Sequence, residues 1–202
     1  QFFWGLFLLT IGLFQKVVLA DTLLSGVADN VFGSGKVLNF WDAWSGTLAF
    51  SGQIFFDFAG YSTAAIGIAL ALGIILPDNF RYPYASLGFS DLWDRWHISL
   101  SSWLRDYLYI PLGGSRGNKW FQLRNVFAIF LVSGFWHGAN WTFIVWGGLH
   151  ALFFIPLLLA SKNRRHTHGI AEGRRFPSMR EMSQMLSTFA MVCVAWVFFR
   201  AD

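Results

Sequence analysis

Charge is what this sequence has least of. Of its 202 residues 13% are charged, about half the roughly 25% of soluble globular chains. With 55% of residues hydrophobic, a disordered chain is excluded, because so much apolar surface must leave water. Cysteine is almost absent. Cys193 alone excludes both a disulfide framework and a cysteine-based zinc site. Excess positive charge is small: the net charge is +4, so the pI of about 9.5 reflects scarce acids rather than a basic surface, and no nucleic-acid partner is expected. The sequence has no His-Glu-x-x-His zinc motif and no Gly-x-Ser-x-Gly elbow. Gly33-Ser34-Gly35-Lys36 is half a phosphate loop, with Asn30 where the first glycine belongs and Val37 where Ser or Thr belongs. No metal or bound cofactor is expected. A secretory leader is not visible either, since Gln1 already opens an apolar helical stretch. The chain reads as an internal fragment of a longer protein, with 1–202 forming a single membrane domain.

Aromatic residues are what is abundant. Twenty-three Phe and eleven Trp exceed what a soluble core of this size hides. The mean hydropathy of +0.47 agrees, and the fold expected is all-α and polytopic, with membrane lipid as its surroundings. A crossing needs about 20 apolar residues. Gln1 to Gln15 reads as the end of one span, bounded by Lys16 and Asp21. Phe58 to Pro77 reads as a second, with Asp57 at its edge and small residues (Gly60, Ala64, Ala65, Gly67, Ala71, Gly73) suited to close packing. Met182 to Phe199 reads as a last span. Asn125 to Ser161 is charge-free over 37 residues (125 to 161), roughly 55 Å as helix, too long for one crossing and short for two. One ordinary and one short or re-entrant helix are expected, broken near Gly134 to Asn140. Asp21 to Asp42 reads as an outer or interfacial loop.

Two basic loops orient the chain. Arg116, Lys119 and Arg124 form one; Lys162, Arg164, Arg165, Arg174, Arg175 and Arg180 form the other. The positive-inside rule puts both in the cytoplasm. Asp91 to Tyr109 reads as one amphipathic, aromatic-rich helix, N-capped by Ser90 and ended by Pro111, lying at the interface or lining a cavity. Trp93, Trp96, Leu100, Trp103, Leu104 and Tyr107 fall on its stripe. Asp94, His97, Ser101 and Arg105 share its other face, a spacing common by chance.

Five histidines are present. His166 and His168 sit in the basic linker and read as solvated. His97, His137 and His150 lie in or beside apolar sequence, where an ionisable side chain is costly and its default reading is functional; an interhelical hydrogen bond is the competing reading. His137 sits in Phe135-Trp136-His137-Gly138-Ala139-Asn140, with Asn140 a polar partner within one turn. A neutral imidazole beside a hydroxyl can act as general base in attack on a thioester or ester.

Two long motifs carry a family resemblance. Asp91-Leu-Trp-Asp-Arg-Trp-His-Ile-Ser-Leu-Ser-Ser-Trp-Leu-Arg-Asp-Tyr-Leu-Tyr-Ile-Pro-Leu-Gly-Gly114 and Gly134-Phe-Trp-His-Gly-Ala-Asn-Trp-Thr-Phe-Ile-Val-Trp-Gly-Gly-Leu-His150 resemble the membrane-bound O-acyltransferase family, in its bacterial branch for alginate O-acetylation and teichoic acid D-alanylation. Ser51 to Ser62 and Trp196 to Ala201 fit the same branch. The resemblance implies that His137 is the catalytic histidine and His97 the second, upstream one. Arg95, Trp96, Trp136 and Asn140, beside them in the two motifs, are expected to shape the substrate site. It implies an acyl donor on the cytoplasmic side, acetyl-CoA or an acyl-carrier thioester. The acceptor is then a hydroxyl of an exported polysaccharide, reached through a periplasmic or extracellular acetyltransferase partner, and the location is the inner membrane. Asp94 and Thr63 depart from the family pattern. The rival readings are D-alanyl or other acyl transfer, a proton-coupled transporter, and a scaffold without activity.

Overall fold

A computed structural model describes residues 1–160, 170–171 and 174–201. Lys162, Arg164, Arg165, His166, His168 and Glu172 of the basic linker lie outside the described residues. Every regular element among those described is helical, and four stretches are long and apolar enough to cross a membrane. This is an all-α, multi-pass membrane fold. The chain forms two compact units, residues 1–79 and 80–200.

The first unit is an antiparallel helical hairpin. Helix α1 (Phe2–Leu13) continues through π-helical Phe14–Leu24 into α2 (Ser25–Phe32), and α3 (Phe40–Ala71) returns along it. Glycines let the backbones touch. A Cβ on Gly5 would stand 2.6 Å from the Gly67 carbonyl oxygen, and one on Gly60 would stand 2.7 Å from that of Gly12. The small residues Gly60, Ala64, Gly67 and Ala71 therefore do face a partner helix, as lipid-embedded packing requires.

Three boundaries differ from expectation here. Lys16 and Asp21 do not end a span, and Asp57 is not at the edge of one. Lys16 reaches across the hairpin to pair with Asp57, and lies 3.5 Å from Asp21. Paired charges cost far less in apolar surroundings than single ones, so both helices run through. Asp21 to Asp42 is mostly helix, since α2 extends to Phe32 and the connection is only Gly33 to Asn39. The hydroxyls of Thr22 and Ser25 donate to Val17 O and Asp21 O, which satisfies them without breaking the helix. Asn39 then caps α3 by accepting from the Asp42 amide at 2.9 Å.

The second unit contains α4 (Phe89–Trp93), α5 (Ile98–Leu104) with a π-helical extension Arg105–Tyr109, α6 (Lys119–His137), α7 (Trp141–Leu159) and α8 (Met179–Arg200). The long uncharged stretch breaks at Gly138 to Asn140, inside the expected window. Its two helices are equal, 19 residues each, about 28 Å, rather than one ordinary and one short. Helix α6 recruits Lys119 to Arg124 from the basic loop, where the Asn118 side chain caps it. Gly134 of α6 lies against the Phe143 backbone of α7, and Gly147 of α7 against Phe130 of α6. Helix α8 opens on Ser178 and Glu181: Glu181 Oε2 accepts from the Ser178 amide and hydroxyl, and Arg174 pairs with it at 2.7 Å.

Asp91 to Tyr109 is not one helix. Asp94 to His97 is a turn, and His97 sits in the left-handed region at φ +44°. The buried Asp91 carboxylate holds this turn, accepting from the Leu87 amide at 2.9 Å and from Arg95 Nε at 2.6 Å. Gly88, not Ser90, is the residue before α4. The break also splits the expected stripe: Trp96 and Leu104 are buried, while Trp103 and Tyr107 are more than half exposed.

Candidate active site

The left-handed turn and the end of α6 bring two of the predicted residues toward one another. His137 is the last residue of α6 and is half-buried. Its Nδ1 lies 2.6 Å from the Ser133 carbonyl oxygen. A carbonyl only accepts, so Nδ1 carries the ring proton and Nε2 presents a lone pair. Trp136 touches both histidines, with ring centroids 4.9 Å from His137 and 6.1 Å from His97. Burial pushes the His97 ring down to about 4, with the charge His137 would carry adding to the effect. His97 is therefore neutral at pH 7.

The remaining predicted residues frame this group. Arg95 is held by Asp91 and also donates to the Arg81 carbonyl at 3.4 Å. Trp96 is buried between Phe80, Tyr84 and Trp196, at ring distances of 5.1, 5.8 and 5.2 Å. Asn140 caps α7, its side-chain oxygen accepting from the Thr142 amide at 3.3 Å. That bond, not one to His137, is where the Asn140 oxygen goes. The expected shared face of Asp94, His97, Ser101 and Arg105 is divided by the turn. Asp94, Ser101 and Arg105 line a cavity of about 490 Å³ whose wall does not include His97.

Sequence reasoning missed the aromatic packing behind His137. Trp146 lies 5.0 Å from the His137 ring, and Phe199 lies 5.3 Å from it. Trp146 also packs on His150 at 4.7 Å and stacks on Trp196 at 5.9 Å. His150 is fully buried in a box of Phe89, Trp93, Phe130 and Trp146. The i, i+4 spacing of Trp146 and His150, and the i, i+3 spacing of Trp196 and Phe199, put each pair on one helix face. Only the packing of α7 against α8 shows that the two faces meet. Among the described residues no group of three or more His, Cys, Asp or Glu is placed to hold a metal ion.

The chain matches the model of the membrane-bound O-acyltransferase family over residues 2–200. It belongs to that family. A peptidoglycan O-acetyltransferase of Helicobacter pylori is 46% identical over 98% of this chain and 36% of its own length. The "probable alginate O-acetylase AlgI" of Pseudomonas aeruginosa is 42% identical over 95% of this chain and 34% of its own. A teichoic acid D-alanyltransferase of Bacillus subtilis is 38% identical over 51% of this chain and 28% of its own. The chain thus spans about a third of the length of the curated O-acetylating relatives it matches. Both histidine motifs of this O-acyltransferase family member lie in its second unit, with the cavity beside them.

Proposed function

We propose that this chain is the histidine-bearing part of an O-acyltransferase that moves an acetyl group to hydroxyls of an exported polysaccharide such as alginate. The observation that carries the reading is His137 itself. Its Nδ1–H is pinned by the Ser133 carbonyl, so Nε2 faces the reaction as base. In the step proposed, Nε2 takes the proton of the acceptor hydroxyl. The oxygen forms a bond to the thioester carbonyl carbon, and the C–S bond breaks. The departing sulfur takes the proton back from the imidazolium, so the histidine is regenerated. The Ser133 carbonyl stays bonded to the ring throughout and stabilises its charged form. His97, neutral and in contact with Trp136, orients the group rather than competing for the proton. Arg95, Trp96, Trp136 and Asn140 shape the site, the first and last by holding the turn and the helix start.

The donor is a thioester on the cytoplasmic side, acetyl-CoA or an acyl carrier, which matches basic loops at Arg116 to Arg124 and before α8 under the positive-inside rule. The protein is placed in the inner membrane, with a periplasmic or extracellular acetyltransferase passing the group to the polymer. D-alanyl transfer is the second reading, favoured by the similarity to the teichoic acid D-alanyltransferase. Membership of the family speaks for acyl transfer over a proton-coupled transporter. His137→Ala in the full-length protein tests the reading: transfer to the acceptor is expected to fall to background with the protein folded, and retained transfer would refute it.

A further inference from the structure

The cavity of the second unit is separate from the histidines, since neither His97 nor His137 lines it. Its volume of about 490 Å³ falls within the range of small-molecule sites. It has a charged mouth and an apolar wall. Asp94, Arg105 and Ser115 are its exposed residues, whereas Leu104, Val126 and Phe130 are buried. Asp94 and Arg105 lie within electrostatic reach of one another, yet they form no ion pair. Arg105 pairs instead with Asp106, through Nε at 2.8 Å and Nη2 at 3.2 Å, which leaves Nη1 for another acceptor. Among the described residues the Asp94 carboxylate has no hydrogen-bond donor. A charge beside an apolar wall is costly unless it is paired. The mouth also lies at a particular depth. Trp103 and Tyr107, on either side of Arg105 in the chain, are exposed and stacked at 5.5 Å, and aromatic rings of this kind settle among lipid headgroups. Ser115 belongs to a basic loop, cytoplasmic under the positive-inside rule. From there Val126 and Phe130, four residues apart, line one face of α6.

We propose that this cavity binds a membrane phospholipid with a zwitterionic ethanolamine headgroup, its phosphate at Arg105, its ammonium at Asp94 and one acyl chain along Leu104, Val126 and Phe130. The headgroup supplies both missing partners at once. A phosphate accepts from the unused edge of Arg105, and an ammonium donates to the Asp94 carboxylate. A glycerol headgroup brings the phosphate but no cation, so it leaves Asp94 unpaired beside a second negative charge. A choline headgroup is cationic but has no N–H to donate. Basic loops by themselves favour anionic lipids, so a preference for ethanolamine runs against the charge of the surroundings and singles out Asp94.

The test uses the full-length protein, delipidated in detergent, with native mass spectrometry of bound 16-carbon lysophospholipids carrying ethanolamine, choline or glycerol headgroups. The ethanolamine form should bind about 10-fold more tightly than the glycerol form, the worth of one hydrogen bond between charged groups. Asp94→Asn, a nearly isosteric change at an exposed residue, should bring that ratio toward one, and Asp94→Lys should reverse it. Arg105→Gln should weaken all three forms together. Soluble phosphoethanolamine distinguishes a lipid from a free phosphate ester. It should compete only at concentrations about 100-fold or more above those of the lysolipid, because it has no chain to bury. Equal binding of the ethanolamine and glycerol forms by the wild type overturns the assignment, as does an unchanged ratio in Asp94→Asn. Competition by phosphoethanolamine at lysolipid concentrations also overturns it, and displacement of the lipid by S-acetylpantetheine would give the cavity to a thioester instead.

Discussion

The contact between α6 and α7 is a sensitive place to perturb the site without touching a histidine. A Cβ added by Gly147→Ala would lie 3.0 Å from the Phe130 carbonyl carbon and nearer still to its oxygen. Ordinary contact between such atoms is about 3.5 Å, and backbone cannot step aside as a side chain can. The nearer oxygen sets the separation, so the helices must part by roughly an ångström, and overpacking of this kind costs about 1–3 kcal/mol. For a domain of this size that lowers the melting temperature by about 2–10 °C. Gly147 adjoins Trp146, whose ring packs on His137, so the displacement reaches the site. A shift approaching 1 Å costs about 10²-fold in rate. Gly134→Ala strains the same interface from the other side, against Phe143. Because one separation relieves both strains, the double variant should be less destabilised than the sum of the singles. Thermal unfolding in detergent and acyl transfer by the four proteins measure this. Single variants that melt and turn over like the wild type, or strictly additive losses, would refute the close-contact reasoning.

Other perturbations have equally definite outcomes. Asp91→Ala leaves Arg95 without its partner and the Leu87 amide without its acceptor, and should cost about 3–5 kcal/mol in denaturant unfolding; Asp91→Asn should cost less. Asn125→Ala removes a fully buried amide that donates to the Gly114 carbonyl at 2.9 Å, so the loop carrying Ser115 should become more susceptible to proteolysis, with a loss of about 1–3 kcal/mol. His97 titrates at about 4 when folded against 6.5 ordinarily, so the unfolded chain binds more protons between those values. Its contribution is fully present above pH 6.5 and is lost as the pH falls toward 4, by an amount of order 1–3 kcal/mol. Melting curves at pH 5 and pH 7.5 should show a smaller difference for His97→Gln than for the wild type; an equal difference would remove His97 as the cause.

Much of the architecture was legible because lipid enforces simple rules. Small residues such as Gly60, Ala64 and Gly67 announced helix packing, and the glycine-bounded break after His137 stood out in a stretch too long to cross once. The charges misled at Lys16 and Asp57. Sequence treats each as a boundary, and only the hairpin shows that they cancel. The same holds for Asp91 to Tyr109, where helical spacing predicted one amphipathic helix. The buried carboxylate of Asp91, accepting from the Leu87 amide and from Arg95, instead folds the chain into a turn, which a periodicity cannot register.

Composition alone determined that this chain lives in a membrane as helices, because nothing else accommodates so many aromatic residues and so few charges. The motifs around His97 and His137 determined its family. The tertiary structure decided what each side chain is for. It placed Trp136 in contact with both histidines, gave the proton of His137 to Nδ1 by setting a carbonyl against it, and turned Asn140 to capping rather than to the histidine. It also brought Trp146 and Phe199 onto His137. Hydropathy and spacing act along the chain, whereas a proton's location and a donor's partner depend on atoms that meet only when helices pack.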